Sequence, residues 1–257
     1  MFSFILAILF IFFAKPTFAQ ETTPAAQLFN QYQKDYQFQV NAYQTSYSNY
    51  LYKKQINTQY ATAATQNDEL ISLKQTIINR NQMLKSYLMA IRVHLDEFPN
   101  INQDDTKNAQ NNLSQLEQWL ENQKIDTLNS TSELTTSLTE FKAKYYDIQK
   151  YIYTALVQYR LNLNLQTLNE INDLSTLLQS QPQNSNQNKI YYDEILTKAQ
   201  FVLTFQQNAL DLTKKESVVP TRFLNFYPDA TIELDNAKNY LSQMFADLKT
   251  IVTKMTD

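Results

Sequence analysis

The chain contains no cysteine, no glycine and a single histidine. Without cysteine there is no disulfide framework, no thiolate nucleophile and no sulfur-based zinc site. One histidine excludes most histidine-based metal sites and catalytic pairs. Loops that cradle phosphate need glycine for close backbone approach, so P-loop and dinucleotide motifs are absent. The formal net charge of −3 gives no electrostatic footprint for nucleic acid. No spacing of oxygen ligands resembles a calcium loop. From these absences the expectation is a non-enzymatic protein with no cofactor, no metal and no nucleic-acid partner.

Residues 1–14 form an almost unbroken apolar run, closed by Lys15-Pro16 and followed by the small residues Thr17 and Ala19 around Phe18. That run is shorter than the roughly 20 residues a membrane-spanning helix needs. It reads as a secretory signal peptide, residues 1–19, cleaved near Ala19. The expected location is therefore secreted, periplasmic or cell-envelope, with no transmembrane segment in the mature chain.

The remainder is patterned as helix. Thr23-Pro24 is a helix start, with a capping hydroxyl before a proline in the first turn. Phe29, Tyr32, Tyr36, Val40, Tyr43, Tyr47 and Tyr50 then recur every three or four residues, which lines one helical face. Thr65 with Asp68 reads as a capping box for a second helix, carried by Leu70, Leu73, Ile77, Leu84, Leu88, Ile91 and Leu95 and ended by Pro99. Asn102 or Asp104 caps a third, which fades near Asn129. Ser130 with Glu133 opens the longest segment, to about Gln179. Its apolar register runs through Leu134, Phe141, Ile148, Ile152 and Tyr159, then slips to Leu161, Leu165, Leu168 and Ile171. Such a slip rotates the buried face without breaking the helix. Residues 181–186 are a polar linker, and helices five and six are expected over 189–214 and 229–254. In place of glycine, Asn100, Asn129 and Asn184 are the expected left-handed helix ends.

Residues 108–116 are echoed by 236–244, and 68–82 by 193–207, in the same order. A weaker parallel joins Phe29, Tyr36, Val40 and Tyr47 to Phe141, Ile148, Ile152 and Tyr159. The fold expected is all-α: an elongated antiparallel bundle of about six helices with coiled-coil-like registers, in two tandem three-helix units, 20–128 and 129–257.

Four features are candidates for function. Tyr52, Tyr146 and Tyr153 fall off the main aromatic stripes and suit a partner or ligand surface. The connection 217–227 is apolar, with Val218, Val219, Phe223 and Phe226, where loops are ordinarily polar; it either plugs the bundle end or meets a partner. His94 reads as a basic group near a helix C-terminus, and the acidic pairs Asp68-Glu69, Asp104-Asp105 and Asp193-Glu194 as charges placed at helix starts. Asn112 and Asn129 begin glycosylation sequons. The expectation is a secreted structural, scaffold or adhesion protein. It acts through contacts with protein, either itself or another envelope component. The alternative is a module that binds a glycan or apolar ligand in a tyrosine-lined groove.

Overall fold

The computed structural model describes residues 24–98, 101–181, 188–214 and 226–256, with side chains from 27 to 255. Residues 1–19 and the candidates Val218, Val219 and Phe223 lie outside the described residues. Among the described residues there are six α-helices, a short 3₁₀ turn and no strand. The helices are α1 (Pro24–Tyr60), α2 (Ala63–Leu95), α3 (Gln103–Asn122), α4 (Thr131–Gln179), α5 (Lys189–Lys214) and α6 (Phe226–Thr256), with the turn at Ile125–Thr127.

Successive helices run antiparallel. Along α1 and α2, Lys53 pairs with Asp68, Thr76 Oγ1 donates to the Ser46 carbonyl, and Asn79 Nδ2 donates to the Ala42 carbonyl. Along α2 and α3, Lys85 pairs with Glu121, Arg92 with Glu117, and Gln110 with Asp96. α5 and α6 are joined by Lys198 to Asp247 and Asn208 to Glu233.

α4 is the spine. It has 49 residues and is about 70 Å long at 1.5 Å per residue. Its N-terminal half supplies Phe141, Ile148, Ile152, Ala155 and Leu156 to the largest apolar cluster, alongside Leu84, Leu88, Ile91 and Leu95 of α2 and Leu113, Leu116 and Leu120 of α3. Its C-terminal half supplies Leu168 and Ile171 to a second cluster with Ile195 and Val202 of α5 and Leu241, Met244 and Ile251 of α6. Between them Val157 and Leu161 meet Ala209, Ala230 and Leu234. This is where the sequence register slips, and here both faces of α4 are covered. Burying each such Leu or Ile contributes about 1.5–3 kcal/mol. The boundary at 128/129 therefore runs through the largest apolar cluster. α4 also packs along α6, while no packing of comparable extent joins α1 to α3 among the described residues.

A buried polar layer fixes α3 on α4. Asn162 Nδ2 donates to Thr106 Oγ1 at 2.9 Å, Gln158 Nε2 donates to Asn162 Oδ1 at 2.9 Å, and Thr106 Oγ1 donates to the Ile101 carbonyl.

The caps follow the sequence in part. Ser130 and Glu133 form the reciprocal box, with Ser130 Oγ accepting from the Glu133 N–H. At α2 the box forms one turn earlier, between Thr62 and Thr65, and Asp68 turns instead to Lys53. Asn100 and Asn184 lie outside the described residues. Among the described residues the left-handed positions are Ala61, Asn102 and Lys124, with φ of 46°, 43° and 42°. Asn129 is not among them: its N–H donates to Glu133 Oε2 and its side chain to the Thr127 carbonyl. Asn102 does precede α3, but in the left-handed region its side chain makes no capping bond. α6 begins at Phe226 rather than Asp229, which places Pro228 in its first turn, a position that needs no N–H partner.

Candidate functional site

α1 lies against α2, and wide side chains at their seam reach the rings of α4. On α1 these are Phe29, Tyr36 and Tyr43, each seven residues from the next; on α2 they are His94, Tyr87 and Arg80, again seven apart. Two turns of helix separate each level from the next, so three rows form in the wedge between the helices.

In the first row the His94 ring is stacked between Phe29, at 3.9 Å between centroids, and Tyr159 of α4, at 4.0 Å. Phe98 tilts against the far side of Tyr159. His94 Nδ1 lies 2.8 Å from Glu97 Oε1. Burial holds the Tyr159 hydroxyl well above its usual pKa, and the nearby Glu97 carboxylate adds to the effect. His94 does sit in the last turn of α2, as expected, but it is buried rather than presented to solvent.

In the second row Tyr36 of α1 meets Tyr87 of α2 at 5.1 Å, while Tyr153 of α4 stacks on Tyr227 of α6 at 4.6 Å. Tyr87 is half-buried, yet its hydroxyl is fully buried and has no hydrogen-bond partner. Burial raises the Tyr87 pKa strongly, with added repulsion from Tyr36, Tyr227 and Tyr153. Burial also pushes Tyr36 and Tyr153 up to about 12. All these phenols are neutral at ordinary pH and act as hydroxyl donors or acceptors, not as bases.

In the third row the Arg80 guanidinium lies 3.5 Å from the centre of the Phe141 ring on α4, a cation–π contact. Trp119 of α3 and Tyr145 flank Phe141. Burial lowers the Arg80 pKa to about 10, partly offset by neighbouring Tyr43, so it stays charged at neutral pH. Its Nε and Nη2 both donate to Asn81 Oδ1, at 3.2 and 3.0 Å. Asn81 Nδ2 donates in turn to Gln123 Oε1 at 2.9 Å.

The sequence-derived candidates separate. Tyr52 is exposed on the outer side of α1, Tyr146 is half-buried on α4, and Tyr153 is buried in the second row. Tyr153 is thus taken off any open surface by Tyr227 and Phe226. Phe226 is half-buried and packs with Tyr227 against the first core. Arg80, Tyr87 and Tyr227 escaped the sequence reading. Their signal was the seven-residue spacing of Arg80, Tyr87 and His94, beside the apolar stripe of α2.

Among the described residues no group of three or more His, Asp or Glu is placed to hold a metal, and no helix is long and apolar enough to cross a membrane. No protein-family model matches the chain, and no curated protein or solved structure is a significant match.

Proposed function

We propose that this is a secreted, non-enzymatic scaffold or adhesion protein that works at the cell exterior or envelope through contacts with other proteins or copies of itself. The observation that carries this reading is the outer side of α1. Phe38 is 68% exposed and Tyr52 59% exposed, two heptads apart on the side opposite Tyr36. α1 packs along α2 alone to any extent among the described residues, so these side chains stand where a further helix or surface would seat them. Exposed apolar side chains mark an interaction surface where they form one contiguous patch, and Leu51 at 47% exposed adjoins Tyr52 on α1. The test is a photocrosslinking amino acid placed at residue 38 or 52 in the native cell. A discrete protein adduct in the exterior fraction is expected. No adduct from either position, or retention of the chain inside the cell, removes the proposal.

The same reading takes residues 20–128 and 129–257 as two copies of one helical unit, sharing a core through α4. Ala109, Leu113 and Leu116 are buried on α3, and Ala237, Leu241 and Met244 on α6, at matching positions of the echo. Replacing residues 108–116 by the sequence of 236–244 should preserve cooperative unfolding; its loss would count against common descent of the units.

A second reading, a ligand-binding module in the tyrosine-lined wedge, is favoured by the unpartnered buried hydroxyl of Tyr87. Leaving such a hydroxyl unpaired costs about 1–3 kcal/mol, which a bound acceptor would recover. Tyr87→Phe should weaken any small-ligand binding and leave the fold intact.

A further inference from the structure

We propose that Arg80, Asn81 and Gln123 form a binding site for a small carboxylate with an aromatic body, seated where α2 and α3 meet Phe141 of α4. This rests on the ligand-binding reading and names its ligand class. Arg80 is only 8% exposed, yet among the described residues no carboxylate forms an ion pair with it. A buried charge is costly unless compensated, and Phe141 offers only the weak negative face of a ring.

The hydrogen bonds around it have a forced direction. An arginine side chain donates and never accepts, so Asn81 must turn its oxygen to Arg80 and its amide nitrogen outward. Gln123 must then present its oxygen to Asn81. That leaves the Gln123 Nε2 buried with no acceptor. Arg80 Nη1 makes no hydrogen bond among the described residues either, but it is not fully buried and so is open to a ligand from solvent. The cluster carries one positive charge, a surplus of donors and no acid.

The missing component is an acceptor with one negative charge. Nε and one N–H of Nη2 are committed to Asn81, which leaves the Nη1–Nη2 edge of the guanidinium to donate elsewhere. That edge presents two parallel N–H groups, which suits the two oxygens of a carboxylate, and the Gln123 amide is a further donor. One face of Phe141 is taken by Arg80 itself, which leaves Trp119, beside Phe141, and Tyr43 as the aromatic neighbours for the body of the ligand.

The chain has one tryptophan, and Trp119 lies 6.0 Å from Phe141, so its fluorescence reports on the site. Benzoate, titrated against the full chain, should give a saturable change, at least tenfold tighter than neutral benzamide or ring-free acetate. Arg80→Met should abolish the preference for benzoate over benzamide. If circular dichroism shows that variant unfolded, Gln123→Leu, at the half-exposed end of α3, should weaken benzoate several-fold. An unchanged benzoate preference in either folded variant overturns the site. Saturable binding of benzamide as tight as benzoate overturns the carboxylate site and keeps the tyrosine-lined wedge. A response to none of the three overturns both.

Discussion

The imidazole of His94 lies parallel to the phenyl ring of Phe29, with centroids 3.9 Å apart and planes within 8°. Tyr159 covers its other face. The one histidine of the chain thus joins three helices as a flat ring. His94→Ala should lower stability by roughly 2–4 kcal/mol, because a large buried ring leaves a cavity between two aromatic partners. His94→Phe should restore most of it. Urea unfolding of the three proteins checks this. Equal stability of His94→Ala and the parent would show that the stack contributes nothing.

Thr106 is the hub of the polar layer between α3 and α4. Thr106→Val leaves the buried Asn162 amide without its acceptor and should cost about 1–3 kcal/mol. Combining it with Asn162→Leu should cost less than the sum of the single changes, with a coupling of about 0.5–3 kcal/mol. A double-mutant cycle in urea measures the coupling; strict additivity would mean the layer is not a network.

The tyrosines should make the fold sensitive to strong base. Tyr36 and Tyr153 ionise near 10.0 when unfolded but only at about 12 when folded. A raised folded pKa means their contribution is complete below pH 10 and is lost as pH rises towards 12, since only the unfolded chain releases the protons there. Absorbance at 295 nm should show a fraction of the 17 tyrosines titrating normally. The buried ones should follow only with loss of helical circular dichroism. A single normal titration with the helix intact would refute the assignment.

A chain without glycine places Ala61 and Lys124 in the left-handed region. Each carries about 1–2 kcal/mol of steric cost. Ala61→Gly and Lys124→Gly should each stabilise the protein by roughly 0.5–1 kcal/mol, after allowing for the greater freedom of glycine in the unfolded state. Thermal melts provide the test, and a lower midpoint in both variants would contradict it.

Helix number and the Ser130 start of α4 were legible because apolar period and caps are local signals. The α2 cap was misplaced because Thr65 and Asp68 satisfied a local pattern. Tertiary contacts decide otherwise: Asn57 Oδ1 accepts from Thr65 Oγ1, and Asp68 meets Lys53. The left-handed positions were missed at Ala61 and Lys124 since no residue type announces them. The aromatic stripe of α1 was visible in Phe29, Tyr36 and Tyr43, but its counterpart was not. Arg80 is a charged residue that composition assigns to the surface, and only the meeting of three helices buries it. Tyr153 reads as off-stripe for the same reason: its neighbour Tyr227 comes from α6, which periodicity along one helix does not register.

The shared α4 has a mechanical meaning. An unbroken helix of this length bends only gently, so a small tilt imposed where Phe141 and Leu156 are gripped becomes a larger displacement at Leu168 and Ile171.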